Sequence, residues 1–244
     1  MRKYLIAAAA ATAAIGVGTT AYAQGGPDGA TLKVTVAPKK AGTVKKPVNS
    51  SVHFNATSNN DKRTLKKLEI QMPKTLTVSA KGFKFCNKAQ LENSADASIC
   101  PKGSKVGGGV ARALLGVNLP AEKQTPLTFD VQAFVVAKDK IDFVLHAREL
   151  PSLFVVSPGK VTQTKKGPKL TVSVPQTAQQ PAPDVYAGLK QLDTTLKGKA
   201  GSHKLIASTG CKKHKQPFST KLFFGTNPVS SATTITASAS SKCS

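Results

Sequence analysis

LTFDVQAFVVAKDKIDFVLHAREL, residues 127–150, is the stretch whose reading decides the fold. Phe129, Val131, Ala133 and Val135 alternate with polar residues, and beyond Lys138-Asp139-Lys140 the set Ile141, Phe143, Leu145 and Ala147 alternates again. A period of two on both sides of a short polar break specifies an antiparallel hairpin with these eight residues on one face. If the turn is the three residues 138–140, Asp130 pairs with Arg148 and Gln132 with His146 on the other face. Phe134, Val136 and Val144 share that second face, so another element is expected to cover part of it.

Alternation recurs outward from the hairpin in Leu32–Val36, Val52–Phe54, Leu68–Met72, Leu170–Val174, Leu205–Ala207 and Thr233–Ala237, between clusters of Pro, Gly, Asn and Lys. About a dozen short strands predict an all-β fold, expected to be a two-sheet β-sandwich of immunoglobulin-like or jelly-roll type. Helix signals are few. Val185, Leu189 and Leu192 at helical spacing behind Pro181-Ala-Pro183 predict one short helix, and Asn87–Glu92 a second turn. Residues 176–183, QTAQQPAP, read as a linker, but too little chain follows for a second domain, so residues 31–244 are expected to form one sandwich domain.

The first 24 residues, MRKYLIAAAAATAAIGVGTTAYAQ, begin with Arg2 and Lys3, continue in an apolar run and reach the small-x-small triplet Ala21-Tyr22-Ala23. This is the pattern of a secretory signal peptide, 1–23, followed by a flexible leader at 24–30. No apolar stretch has the roughly 20 residues a membrane span needs. The even count of four cysteines in an exported chain predicts disulfides; three pairings are possible, and proximity favours Cys86 with Cys100 and Cys211 with Cys243. A metal reading of Cys211-Lys-Lys-His214 is opposed by the lysines around it.

The whole chain carries 35 Lys and Arg against 12 Asp and Glu, a net charge of +23. Cleavage after Ala23 removes Arg2 and Lys3, leaving 33 against 12, or +21. Arg63, Arg112 and Arg148 are the mature arginines, so nearly all the excess is lysine, which suits diffuse attraction better than bidentate recognition. The partner class is therefore an anionic cell-wall polymer or other extracellular polyanion. Specific nucleic-acid recognition is not expected, because the ten phenylalanines sit mostly at apolar strand positions and there is no tryptophan for stacking.

Catalytic motifs are weak. Ser157-Pro-Gly-Lys160 reads as a turn rather than a nucleophile helix. Gly159-Lys160 and Gly198-Lys199 lack the Ser or Thr of a phosphate loop, and Gly107-Gly108-Gly109 suits a bulge or close backbone approach at a strand start. His53, His146, His203 and His214 show no zinc-hydrolase spacing. The best polar constellation, Asp130, Asp142, His146 and Arg148, carries the competing reading of a secreted hydrolase; a purely structural extracellular role is the other alternative. The leading expectation is a secreted, basic, non-enzymatic protein that is envelope-associated or binds anionic extracellular polymer, with no catalytic, cofactor or metal residues.

FCNKAQLENSADASICPKGSKVGGGVARA, Phe85 to Ala113, resembles a family of secreted, β-rich actinobacterial proteins, through its Phe-Cys pair and the CPKGSKVG motif. The likeness continues through residues 170–199 and the STGC ending at Cys211, while PFSTKLFFGTNPVSS, 217–231, departs from it. The resemblance implies export, a β-rich fold and a Cys86–Cys100 pairing, and no activity.

Overall fold

A computed structural model describes residues 21–22, 29–59, 62–94, 96–226 and 231–244. The signal-peptide and leader readings therefore lie largely outside the described residues. The strands are β1 (Ala21–Tyr22), β2 (Ala30–Ala37), β3 (Val48–Asn49), β4 (Ser51–Ser58), β5 (Leu65–Gln71), β6 (Leu76–Val78), β7 (Lys105–Leu115), β8 (Thr125–Ala137), β9 (Lys140–Ala147), β10 (Phe154–Ser157), β11 (Gly159–Thr164) and β12 (Gly167–Ser173). They continue as β13 (Ala187–Leu196), β14 (Lys199–Ala200), β15 (His203–Lys204), β16 (Ile206–Ser208), β17 (Lys215–Phe224) and β18 (Thr233–Lys242). The two short helices are α1 (Lys88–Asn93) and α2 (Gln176–Gln179).

The fold is all-β, as the alternation predicts, but the expected sandwich is replaced by a nearly closed barrel. One 13-stranded antiparallel sheet runs β1-β2-β4-β13-β7-β8-β9-β11-β12-β5-β17-β18, with β10 also pairing β9. Closure comes where β18 returns beside β2. Val36 donates its amide to Ser241 Oγ at 2.9 Å, and the chain end clips on through Ser244 N–H to Lys39 O at 2.9 Å and Ala41 N–H to Ser244 O at 2.7 Å. The sheet curls instead of splitting because its ladder is bulged in four places, on β7/β8, β8/β9, β13/β7 and β17/β5, each adding local twist and bend.

The inward face forms one apolar core that takes residues from almost every long strand, Leu32, Phe54, Ile70, Val131, Ile141, Leu170, Leu196 and Leu222 among them. Part of the interior is collapsed: Phe54 of β4 meets Phe218 of β17 edge to face, ring centroids 6.1 Å apart.

The 127–150 hairpin is β8 and β9, with the predicted inward set intact. Its register differs. Asp130 pairs with His146 and Gln132 with Val144, because Lys138-Asp139 is a two-residue turn between Ala137 and Lys140 and a bulge displaces Val136. The slip is two residues, so every side chain keeps its face. The second face is covered as expected: Phe134 and Val144 pack with Leu91 of α1 and Cys86. Asn87 caps α1, its Oδ1 accepting from Gln90 N–H, and the Cys86–Cys100 disulfide closes the loop that carries the helix.

The helix predicted over 183–192 does not form; Ala187–Leu196 is strand β13 between β4 and β7. Its ladder to β7 shifts between Leu189 and Gln191, leaving Lys190 as the bulge. One extra residue brings Leu189 and Leu192 to the same inner surface, reproducing in a strand the three-residue spacing of a helix. The helix lies instead at α2, inside the stretch read as a linker.

Gly107–Gly109 is where β7 and β13 come closest. A Cβ on Gly109 would stand 1.9 Å from Asp193 O, and one on Gly107 2.4 Å from Thr195 O. Gly109→Ala is expected to force these backbones apart and lower stability by about 2 to 4 kcal/mol. Gly210→Ala, whose Cβ meets only Thr75 Cγ2 at 3.6 Å, should shift it by less than about 0.5 kcal/mol in the same urea titration.

Candidate anion-binding groove

Of the Asp130, Asp142, His146 and Arg148 constellation the structure brings three together, with Asp130 opposite His146 in the ladder and beside Arg148, and leaves Asp142 apart. Asp130 and Arg148 form an exposed ion pair, Arg148 Nη2 to Asp130 Oδ1 at 2.6 Å. The guanidinium hydrogen bonds hold the Asp130 carboxyl below its usual range. His146 Nε2 is engaged with Pro151 O at 2.8 Å. Asp142 lies four residues from His146 along β9, about 13 Å at the rise of a strand. It is 1% exposed, at the edge of the small core beneath α1. These are strand-pairing contacts on an outer face, with Asp142 sealed away from the other three.

A polar group that spacing did not signal sits across β4 and β13: His53 Nε2 and Asp193 Oδ1 are 2.7 Å apart, and Asn55 Nδ2 donates to Asp193 Oδ2 at 2.7 Å. Only the register, with Asn55 opposite Asp193 and His53 opposite Thr195, assembles it. Nucleophilic catalysis needs a hydroxyl or thiol on the second ring nitrogen, and among the described residues none bonds to His53. The Cys211-Lys-Lys-His214 ligand reading also lapses, since Cys211 is joined to Cys243. Among the described residues no cluster of three His, Cys, Asp or Glu side chains could hold a metal ion.

The feature with the clearest chemistry is a groove of about 670 Å³ between the turn after β5, the β11–β12 turn and the paired strands β17 and β18. It is lined by Lys74, Lys166, Lys212 and Lys215, by Ser219, Ser238 and Ser240 and by Phe218 and Ala239; Thr75 also borders it, with its Oγ1 buried, and no carboxylate lines it. Each lysine is placed by a tight structure. Lys74 follows Pro73 in the turn after β5, and Lys166 lies in the β11–β12 turn, whose Gly167 has φ +120° and lies so close to Met72 O that a Cβ would stand 2.6 Å away. Gln71 ties these two turns together, its Nε2 donating to Met72 O, Gly167 O and Pro168 O at 2.9 to 3.1 Å. Lys212 and Lys215 flank a turn through Lys213 and His214, both at positive φ. That turn is closed by Lys215 N–H to Lys212 O at 3.1 Å and held beside the Cys211–Cys243 disulfide. A second concavity on the barrel carries Lys105, Lys197 and Lys199 beside Gly107 and Gly108.

Elsewhere several carboxylates already have partners: Glu69 with Lys67 and Lys169, Glu92 with Lys88, and Asp130 with Arg148. Among the described residues Lys74, Lys166, Lys212 and Lys215 form none of these ion pairs. No protein-family model, curated protein or solved structure matches the chain.

Asp142 offers a test of its own. Burial pushes its carboxyl above the usual range, opposed by the Gly159 N–H at 3.4 Å and the charges of Lys88 and Lys140, and reinforced by Glu92. A raised folded pKa means no penalty below the ordinary carboxyl range, a growing one as pH rises through the folded value, and the full penalty above it. Asp142→Asn should thus raise stability at pH 7 and change it little near pH 3, read as paired unfolding midpoints.

Proposed function

We propose that this is a secreted, non-enzymatic protein that binds anionic polymer of the cell envelope, with the groove between the β5, β11–β12 and β17–β18 segments as its principal contact. The observation that carries the reading is the groove's lining: four lysines, three serines and no carboxylate. Flexible ammonium groups on separate turns suit the repeating charges of a polymer. Each contact releases a counterion, and the short hydroxyls supply hydrogen bonds between the charges. The positive balance of the remaining surface adds long-range attraction that brings such a polymer in.

Export is supported by the signal-like start, by the resemblance of Phe85–Ala113 to secreted actinobacterial proteins, and by two disulfides, which belong to oxidising compartments. No helix among the described residues is long and apolar enough to cross a membrane. The barrel is apolar inside and lysine-bearing outside, the reverse of the pattern of membrane barrels with polar lumens.

Co-sedimentation of the mature, oxidised protein with purified actinobacterial cell walls across a salt series tests this. Binding should fall steeply as salt rises. Replacing Lys74, Lys166, Lys212 and Lys215 together by Gln should flatten the slope of log affinity against log salt by about 3 to 4, and each alone by about 1. A charge-matched variant at the exposed Lys81, Lys84, Lys102 and Lys138 should retain more of the binding. Equal loss in the two quadruple variants would remove the groove from the reading, and no binding at any salt would end it.

A further inference from the structure

The barrel interior is not filled. On the inner surface of β7 and at the start of β13 stand Ala111, Ala113 and Ala187, where a close-packed core of this width would hold larger side chains. The space they leave is a cavity of about 120 Å³, walled on its far side by aromatic and aliphatic side chains such as Phe129, Phe143 and Leu170. Apolar cavities of about this size stay dry and accept small apolar molecules.

Two hydroxyls interrupt the apolar wall, Thr194 of β13 and Ser157 of β10. Thr194 is 3% exposed and its Oγ1 finds no partner among the described residues. A valine there would have the same shape without the cost of an unpaired buried hydroxyl. No ionisable side chain lines the cavity, so a charged ligand group would be buried uncompensated. Access lies at the α2 end. Val174 and Ala178, both partly exposed, border the cavity there, and the single turn of α2 is held by Gln179, whose Nε2 donates to Val174 O at 2.8 Å.

We propose that the barrel interior is a binding site for a neutral, largely apolar small molecule carrying one hydrogen-bonding group, such as an alcohol, ketone or ester, whose polar atom meets Thr194 Oγ1. This site shares no residue with the lysine groove and does not depend on the polymer-binding reading.

The test is a methyl-resolved NMR titration of the mature, oxidised protein with 1-hexanol, hexanoate and benzene. Saturable shifts are expected at Ala111, Leu170 and Leu192 with 1-hexanol and benzene, and hexanoate should bind at least tenfold more weakly at neutral pH. Thr194→Val should weaken 1-hexanol by about five- to tenfold and leave benzene within twofold, a difference that a merely structural change would not produce. Ala111→Leu should abolish both; if it fails to fold, Ala113→Leu serves, with folding checked by circular dichroism. The proposal is overturned if neither 1-hexanol nor benzene shifts these methyls saturably, if hexanoate matches 1-hexanol, if the folded filled variant binds undiminished, or if Thr194→Val leaves 1-hexanol affinity unchanged.

Discussion

Val36 N–H to Ser241 Oγ, Ser244 N–H to Lys39 O and Ala41 N–H to Ser244 O hold the last strand against the first long one, and the Cys211–Cys243 disulfide anchors the same segment from the other side. A sheet of this length has an apolar face that must be hidden and two edges that invite pairing with other chains. Joining β18 to β2 answers both needs, since the apolar face becomes an interior and the edges meet. The width of the resulting barrel then has a consequence. About eight strands enclose a space that side chains just fill, and more leave room to spare. Here the surplus is removed on one side by contact between Phe54 and Phe218. On the other, where β7 and β13 contribute alanines, it remains as the cavity.

The outer surface obeys the same alternation with one exception that explains the disulfide loop. Phe134 and Val144 point outward from the hairpin, and in water they would form an apolar patch. The loop closed by Cys86–Cys100 lays Leu91 over them, so α1 is the cover of a small second core rather than an ornament. Asp142 is caught beneath that cover, and the position most suggestive of catalysis by residue type is the one least able to reach a substrate.

Much of this was legible from residue order. The faces of the hairpin, the covering of Phe134 and Val144, the α1 turn and the close backbone approach at Gly107 and Gly109 all follow from alternation and backbone freedom. What escaped came from single-residue bulges. At Lys190 the bulge gives Leu189 and Leu192 a helical spacing in a strand, and at Val136 a bulge adds a second residue to the one-residue register shift set by the two-residue turn. Barrel closure was equally hidden, because the pairing of β17 with β5 and the seating of β18 beside β2 join segments about 150 or more residues apart, the first through a backbone ladder that any sequence can make and the second through the Ser241 hydroxyl and the backbone of Ser244. The lysine groove escaped for the same reason: Lys74, Lys166, Lys212 and Lys215 belong to three separate turns that meet only once the barrel has formed.

The groove and the α2 end of the cavity lie at opposite ends of β5, along which the cavity lining runs through Leu65, Leu68 and Ile70. Gln71, at the end of β5, lines the groove, whereas Leu65, at its start, lines the cavity, and Thr64 Oγ1 donates to Gln179 Oε1 of α2 at 3.5 Å. Six residues of strand separate Leu65 from Gln71, about 20 Å. Their physics differs as much as their position, one being a wet cationic surface sensitive to salt and the other a neutral apolar interior that salt leaves untouched. On the two proposals together, a protein moored to polymer through the groove would keep its α2 end free, and ligand exchange at the cavity would proceed without release from the polymer.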